Sequence, residues 1–380
     1  VVGLGGLIAV VVAMATSGSD APATALDSTL VSQPTSEPTS ETISPVLLGG
    51  VTDLTYMISA FGVAFDSARN IAFVVGLNSD SLAVVDVSTP ASPVLLGGVT
   101  DSTYMKSARG VAYDSARNIA FVVGRYSNSL AVVDVSTPSS PAVLGGVTDS
   151  TYMQTAWGVA YDSVRNIAFV VGRDSNSLAV VDVSDPATPV LLGGVTDSTY
   201  MDSARAVAFD SARNLAFVVG RNSDSLAVVD VSTPANPVLL GGVTDSTYMD
   251  GAYGVAFDSA RNIAYVVGRY SDSLAAVDVS TPSSPAVLGG VTDSTYMKSA
   301  RAVAFDSAHN IVYVVGYYSN SLAVVDVSTP ASPAVLGGVT DSTYMAGAAG
   351  VAFDSARNLA FVVGAFSNSL AVVDVSGVSV

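Results

Sequence analysis

The motif Gly-Gly-Val-Thr-Asp recurs with its Asp at 53, 101, 149, 197, 245, 293 and 341, every step being 48 residues without insertion or deletion. Seven units follow, at 46–93, 94–141, 142–189, 190–237, 238–285, 286–333 and 334–380. A fixed period of roughly 40–50 residues marks propellers and solenoids, where one small unit buries its apolar face only against its neighbours.

Within a unit the signals are those of strands. Gly110-Val111-Ala112-Tyr113 (strand A) precedes the turn Asp114-Ser115-Ala116-Arg117-Asn118. Ile119–Val123 (B) and Leu130–Val135 (C) are rich in β-branched and apolar residues, and Ala142–Val147 (D) follows Ser136-Thr137-Pro138-Ser139-Ser140-Pro141. Short runs separated by Gly, Pro, Asn, Asp and Ser predict four antiparallel strands. No run has the length or the 3.6 period of a helix.

The ends of the repeat array decide between ring and solenoid. The last unit has A, B and C but no following D, whereas Val46–Val51 is a D strand with no A, B and C before it. Pairing Val46–Val51 beside Leu370–Val375 completes every blade, while an open solenoid would leave raw edges and need atypical end units. The expected fold is therefore all-β: a seven-bladed β-propeller of four-stranded antiparallel blades, its ring closed by strand 46–51 joining the last blade.

The stretch Leu178-Ala179-Val180-Val181-Asp182-Val183-Ser184-Asp185-Pro186-Ala187-Thr188-Pro189-Val190-Leu191-Leu192-Gly193 resembles the LVIVD repeat, named for its Leu-Val-Ile-Val-Asp core. The likeness runs through all seven units and is most specific from strand C to strand D. This sequence departs by reading Leu-Ala-Val-Val-Asp, with Leu-Ala-Ala-Val-Asp at Leu274–Asp278, and its period is long for the family. The resemblance implies a β-propeller and an exported or cell-surface setting, and brings no catalytic residues.

Upstream of the repeats, residues 1–15 are uncharged and apolar and end in Ala13-Met14-Ala15, the small-x-small pattern of a signal-peptide cleavage site. The reading is a truncated signal peptide or, extended by further residues, a membrane anchor; fifteen residues fall short of the roughly 20 of a span. Residues 16–45, rich in Ser, Thr and Pro, are read as a disordered linker without the apolar content to order itself. An extracellular or cell-surface location is expected.

Composition narrows the chemistry. The chain has no Cys, one His, 15 basic and 32 acidic residues, and both glutamates, Glu37 and Glu41, precede the repeats. That excludes thiolate metal sites, Ser-His-Asp triads and Glu-based acid/base pairs. A net charge of −17 argues against a nucleic-acid partner. No cofactor, metal site or enzymatic activity is expected.

Since the seven copies are otherwise nearly identical, the positions that differ stand out. One series, placed just before strand A, is Phe61, Arg109, Trp157, Arg205, Tyr253, Arg301 and Ala349. Three residues upstream lie Ile58, Lys106, Gln154, Asp202, Asp250, Lys298 and Ala346. The B–C turn contributes Leu77-Asn78, Arg125-Tyr126, Arg173-Asp174, Arg221-Asn222, Arg269-Tyr270, Tyr317-Tyr318 and Ala365-Phe366. In an antiparallel blade the B–C turn and the D–A connection share one end, so all three series are expected on one face. Nine of the fifteen basic residues and the only Trp fall in them, and Arg, Trp and Tyr are enriched at binding hot spots. The expected function is a non-catalytic binding or adhesion scaffold whose protein or glycan partner meets this face. Drift at exposed turns would also produce variation there.

The remaining motifs read as structural. Asp66, Asp114, Asp162, Asp210, Asp258, Asp306 and Asp354 open the A–B turns, with Arg three residues on except at His309. Such an Asp is expected to accept local backbone N–H bonds rather than to bind calcium. Asp86 and its equivalents are expected to cap the C–D turn, and Gly-Gly pairs such as Gly97-Gly98 to mark a bulge or close backbone approach. A structural component that self-associates into an array or filament is the alternative. An Asp-dependent extracellular hydrolase comes after both, because sevenfold repetition works against the unlike groups that catalysis needs.

Overall fold

The computed structural model describes residues 44–378. The expected leader, residues 1–15, lies outside the described residues, as does the expected linker 16–45 except for its last two residues. Among the described residues no helix is long and apolar enough to cross a membrane.

Seven four-stranded antiparallel sheets carry the chain. Blade 2 is typical: strand A is Ala108–Asp114, B Ile119–Gly124, C Ser129–Asp134 and D Ala142–Thr148. Blade 7 has Ala348–Asp354, Leu359–Gly364 and Ser369–Asp374, and its fourth strand is Val46–Thr52. Val51 stands opposite Leu370 and Thr52 opposite Ser369, so the ring closes as the orphan strand requires.

Blades stack because their two faces differ. In blade 2, Ile119, Phe121, Val123, Leu130 and Val132 point to one side and pack with blade 3. Ala120, Val122, Ala131 and Val133 point to the other and receive Ile71, Phe73, Val75, Leu82 and Val84 of blade 1. Large face meets small face around the ring, which is why strands B and C read as nearly continuous apolar runs. Each such layer excludes water completely from its central side chains.

The A–B turns lock neighbouring blades. Asp114 Oδ1 accepts the Ala116 N–H at 2.9 Å, and Oδ2 accepts Arg117 Nε at 2.5 Å. Arg117 then reaches blade 3, donating from Nη1 to the Val183 carbonyl at 2.8 Å and from Nη2 to the Tyr161 hydroxyl at 2.8 Å. Burial and the Asp114 bond push the Tyr161 hydroxyl up to about 12. Arg357 makes the same bond to Val87 at 2.9 Å, tying blade 7 to blade 1. His309 instead stops at Asp306, 2.7 Å away. The strand C Asp caps its turn as expected, Asp134 Oδ1 accepting the Ser136 N–H at 2.8 Å.

The Gly-Gly pairs serve both expected purposes. The C–D register shifts between Val84 and Val85, forming a bulge. A Cβ on Gly97 would lie 2.6 Å from the Ser139 carbonyl oxygen of the next blade, and one on Gly98 2.5 Å from the Tyr56 ring.

One boundary differs from expectation with a consequence for the site. Strand A starts at Ala108, paired with Gly124, rather than at Gly110. Phe61, Arg109 and their equivalents therefore lie inside strand A, at a bulge: in blade 1 Ala60 faces Gly76 and Gly62 faces Val75, leaving Phe61 without a partner. A bulge re-aims its extra side chain, here toward the ring axis.

Candidate functional site: the channel mouth

Two networks position the mouth. The B–C turn N–H groups donate to the upstream variable series, as Tyr126 N–H does to the Lys106 carbonyl at 3.0 Å. The residue before strand A has a positive φ, 56° at Ser59 and 65° at Gly251. Its N–H donates to an Asn or Asp in the preceding blade's B–C turn, as Thr155 does to Asn128 at 2.8 Å. The same bond joins Ser59 to Asn368 across the closure, at 2.8 Å. All three variable series thus gather on one face.

Inside that frame aromatic and cationic side chains alternate around the axis. The Phe61 and Trp157 rings meet edge to face at 6.2 Å, and Trp157 meets Tyr253 in the same way at 6.2 Å. Arg109 lies over Trp157 at 3.7 Å and over Phe61 at 4.2 Å. Arg205 lies over Trp157 at 3.9 Å, and Arg301 over Tyr317 at 3.2 Å. Ala349 leaves a gap through which Arg301 approaches Phe61, at 5.8 Å.

Two cavities flank this ring and share its six large side chains. One, of about 240 Å³, continues down the channel past Gly62-Val63 and equivalents. The other, of about 310 Å³, opens toward the B–C turns and adds Ser59, Leu77, Arg173, Arg269, Tyr317, Ala365 and Phe366.

The ring residues are not exposed turn positions. Trp157 is 7% exposed, Tyr253 6% and Arg205 5%. The first series therefore lies within strand A rather than at exposed turns. Of the other expected site residues, Arg173, Arg269 and Tyr317 line the outer cavity, whereas Lys106, Arg125, Tyr126, Arg221, Tyr270, Lys298 and Tyr318 stand outside both. Arg125 nonetheless lies 5.3 Å from the Trp157 ring, and Arg221 bonds the Tyr270 hydroxyl. Tyr126, Tyr270, Tyr318 and Phe366 are more than half exposed and stand up around the mouth.

Positive charge is concentrated and poorly compensated here. Arg173 pairs with Asp174 at 2.7 Å; no other mouth arginine has a carboxylate within ion-pair distance among the described residues. Burial, with Arg125 and Arg301 adding repulsion, lowers Arg109 to about 10. Burial, then Arg221, Arg173 and Arg109, lowers Arg205 to about 9. Tyr253 offsets part of both shifts. Arg301 and Arg221 are lowered as well, chiefly by burial. The buried Nε atoms of Arg109, Arg125, Arg205, Arg221 and Arg301 have no hydrogen-bond partner among the described residues. Several acids on this face are turned onto backbone: Asp101 accepts the Tyr104 N–H at 2.6 Å and Asp80 the Ser107 N–H at 2.7 Å.

Two residue sets escaped the sequence reading as site components. Ser59 lines the mouth through a backbone turn that serine does not advertise. Leu77, Ala365 and Phe366 were visible as members of a variable series, but their types carried no binding signal.

Comparison with known proteins agrees with this architecture. The LVIVD repeat family profile matches residues 70–101, 118–149, 166–197, 214–245, 262–293 and 310–341, together just over half the chain. Each match runs from the end of the A–B turn through strands B, C and D. Blade 7 has its D strand at the opposite end of the sequence, so its copy is split. The strand A ring lies outside every matched segment. No curated protein matches the sequence. A crystal structure of a protein from Lactobacillus plantarum is similar in fold, with a TM-score of 0.65 and 17% identity over 74% of this chain and 84% of that one.

Proposed function

The chain belongs to the LVIVD-repeat family, and from that premise we propose that this propeller is a non-catalytic binding scaffold of the cell exterior. Its protein or glycan partner meets the face carrying the B–C turns and D–A connections. One observation carries the reading. The repeats differ most in residue type where Arg, Trp, Tyr and Phe converge on the channel mouth, and five arginines there keep buried N–H groups without protein partners among the described residues. An unsatisfied buried donor costs about 1–3 kcal/mol, a cost that a ligand carrying acceptors relieves.

The test uses the exposed aromatics, because the buried aromatics of the ring also support the fold. Replacing Tyr126, Tyr270 and Tyr318 with Ser should leave the melting temperature nearly unchanged, yet lower retention on glycan and protein arrays at least tenfold. Full retention by a folded triple variant contradicts the reading.

Self-assembly is favoured by a different observation. Val46, Leu48, Val94, Leu96, Leu144, Val190, Val238, Leu240 and Leu288 are exposed on the outermost strands. Those strands end their sheets, so one or two large exposed apolar side chains accompany the free edge of every blade but the sixth. Regular lateral assemblies under the electron microscope, abolished by Leu96→Lys and Leu240→Lys, would support this second reading.

A further inference from the structure

We propose that the channel mouth binds a compact oxyanion carrying two or more negative charges, gripped by Arg109, Arg205 and Arg301. The proposal rests on the binding reading above and gives its ligand a chemical class. Arg205 carries the argument: it is 5% exposed, it lines both cavities, and its Nε has no partner among the described residues. A guanidinium held against an aromatic ring keeps its N–H groups in its own plane, directed past the ring. That geometry suits the oxygens of a carboxylate or phosphate. Arg109 and Arg205 face the Trp157 ring at 3.7 and 3.9 Å, and Arg301 faces Tyr317. Three forks are thus set into one aromatic frame.

Charge and size restrict the ligand further. Arg125, Arg221 and Arg269 stand behind the inner three, none with a carboxylate partner among the described residues, so one negative charge would leave most of the repulsion in place. The outer cavity holds about 310 Å³, room for a small metabolite-sized anion. Outside it, Asp53, Asp101 and their repeats follow the outermost strands on this face, as the Asp101 N–H bond to the Asp80 carbonyl of the B–C turn shows. A long polyanion crossing that rim would meet like charge, whereas a compact one passes inside it, drawn by a focused positive field. Di- and tricarboxylates and phosphate esters share the required chemistry.

Trp157 is the only tryptophan in the chain, so its fluorescence reports the site directly. The intact protein is titrated at low ionic strength with citrate, pyrophosphate, acetate, glucose and heparin, with calorimetry in parallel. Saturable binding of citrate or pyrophosphate, at least about tenfold tighter than acetate and absent with glucose, is expected. The tighter of the two assigns carboxylate or phosphate. Arg205→Gln should weaken that binding about tenfold or more. Arg205→Lys, which keeps the charge and loses the fork, should fall between. Arg165→Gln, an equal charge change on the opposite face, should leave it unaltered.

The proposal is overturned if neither oxyanion binds, if acetate binds equally well, if heparin binds more tightly than citrate, or if folded Arg205→Gln binds as the parent does. Retention of a neutral glycan or peptide at this face, alongside no oxyanion binding, would remove the anion and leave the binding scaffold standing. No retention of any kind at this face would remove both.

Discussion

The guanidinium carbon of Arg205 lies 3.9 Å from the centre of the Trp157 ring, and among the described residues this cation has neither a carboxylate nor a partner for its Nε. The ring supplies part of what water supplied in the unfolded chain, but it leaves the charge buried beside Arg221, Arg173 and Arg109, and burial still lowers the group to about 9. A residue retained for folding would not be placed so. Arg205→Met keeps the volume and removes the charge, and should raise stability by about 1–2 kcal/mol. Denaturant unfolding measures this, and a clear loss would make Arg205 a structural residue.

The pH dependence has a definite sign. Arg205 and Arg109 are lowered to about 9 and about 10 in the folded protein, well below the ordinary arginine range, chiefly by burial. The unfolded chain then holds these protons more tightly, so their contribution to stability is lowest below about pH 9 and increases as pH rises above it. Oxyanion affinity runs the other way, because the cation is lost. Citrate affinity should be flat near neutrality and fall as pH passes about 9. Over the same interval the stability advantage of Arg205→Met should shrink. Calorimetric titration and unfolding at stepped pH test both trends, and affinity that is constant through pH 10 contradicts them.

Six of the seven A–B turns send an Arg to the next blade's strand C end, as Arg117 does to Val183 and Arg357 to Val87. His309 does not, so the joint between blades 6 and 7 lacks its clamp. His309→Arg should restore the bond to the Val375 carbonyl and add about 1 kcal/mol. The reverse change, Arg117→His, should cost a similar amount. Equal melting temperatures for parent and His309→Arg would show that the clamp contributes nothing at that joint.

Much of this molecule was legible in its sequence, for reasons that also explain what was not. The 48-residue period and the displaced strand 46–51 settle blade number and closure, because both are countable. The face carrying the variable residues follows from antiparallel topology. Ala108 and Arg109 carry no strand signal, so pattern alone starts strand A two residues late and leaves the ring looking like exposed turn. The aromatic–arginine alternation from Phe61 to Arg301 was on view. That these side chains converge depends on a bulge, which pattern does not encode. The Arg clamp was half visible: its Asp lies three residues back, whereas its carbonyl acceptor lies 66 residues on.

Closure offers a last prediction, in which local and global stability separate. Strand Val46–Thr52 supplies the outer edge of blade 7, pairing with Ser369–Asp374 along its whole length. Its removal would expose a free edge beside Val372 and Leu370, both fully buried in the intact ring. Blades 2 to 5 would keep all four strands and their stacking. A chain starting at Asp53 should therefore retain most of its strand signal in circular dichroism, but melt at lower temperature, protect blade 7 poorly in hydrogen exchange and self-associate through the open edge. A peptide spanning residues 44–54 should bind it saturably and reverse all three changes. If the shortened chain stays monomeric with unchanged exchange in Leu359–Asp374, the ring is held by blade stacking and the Arg clamps, and the terminal strand adds nothing to closure.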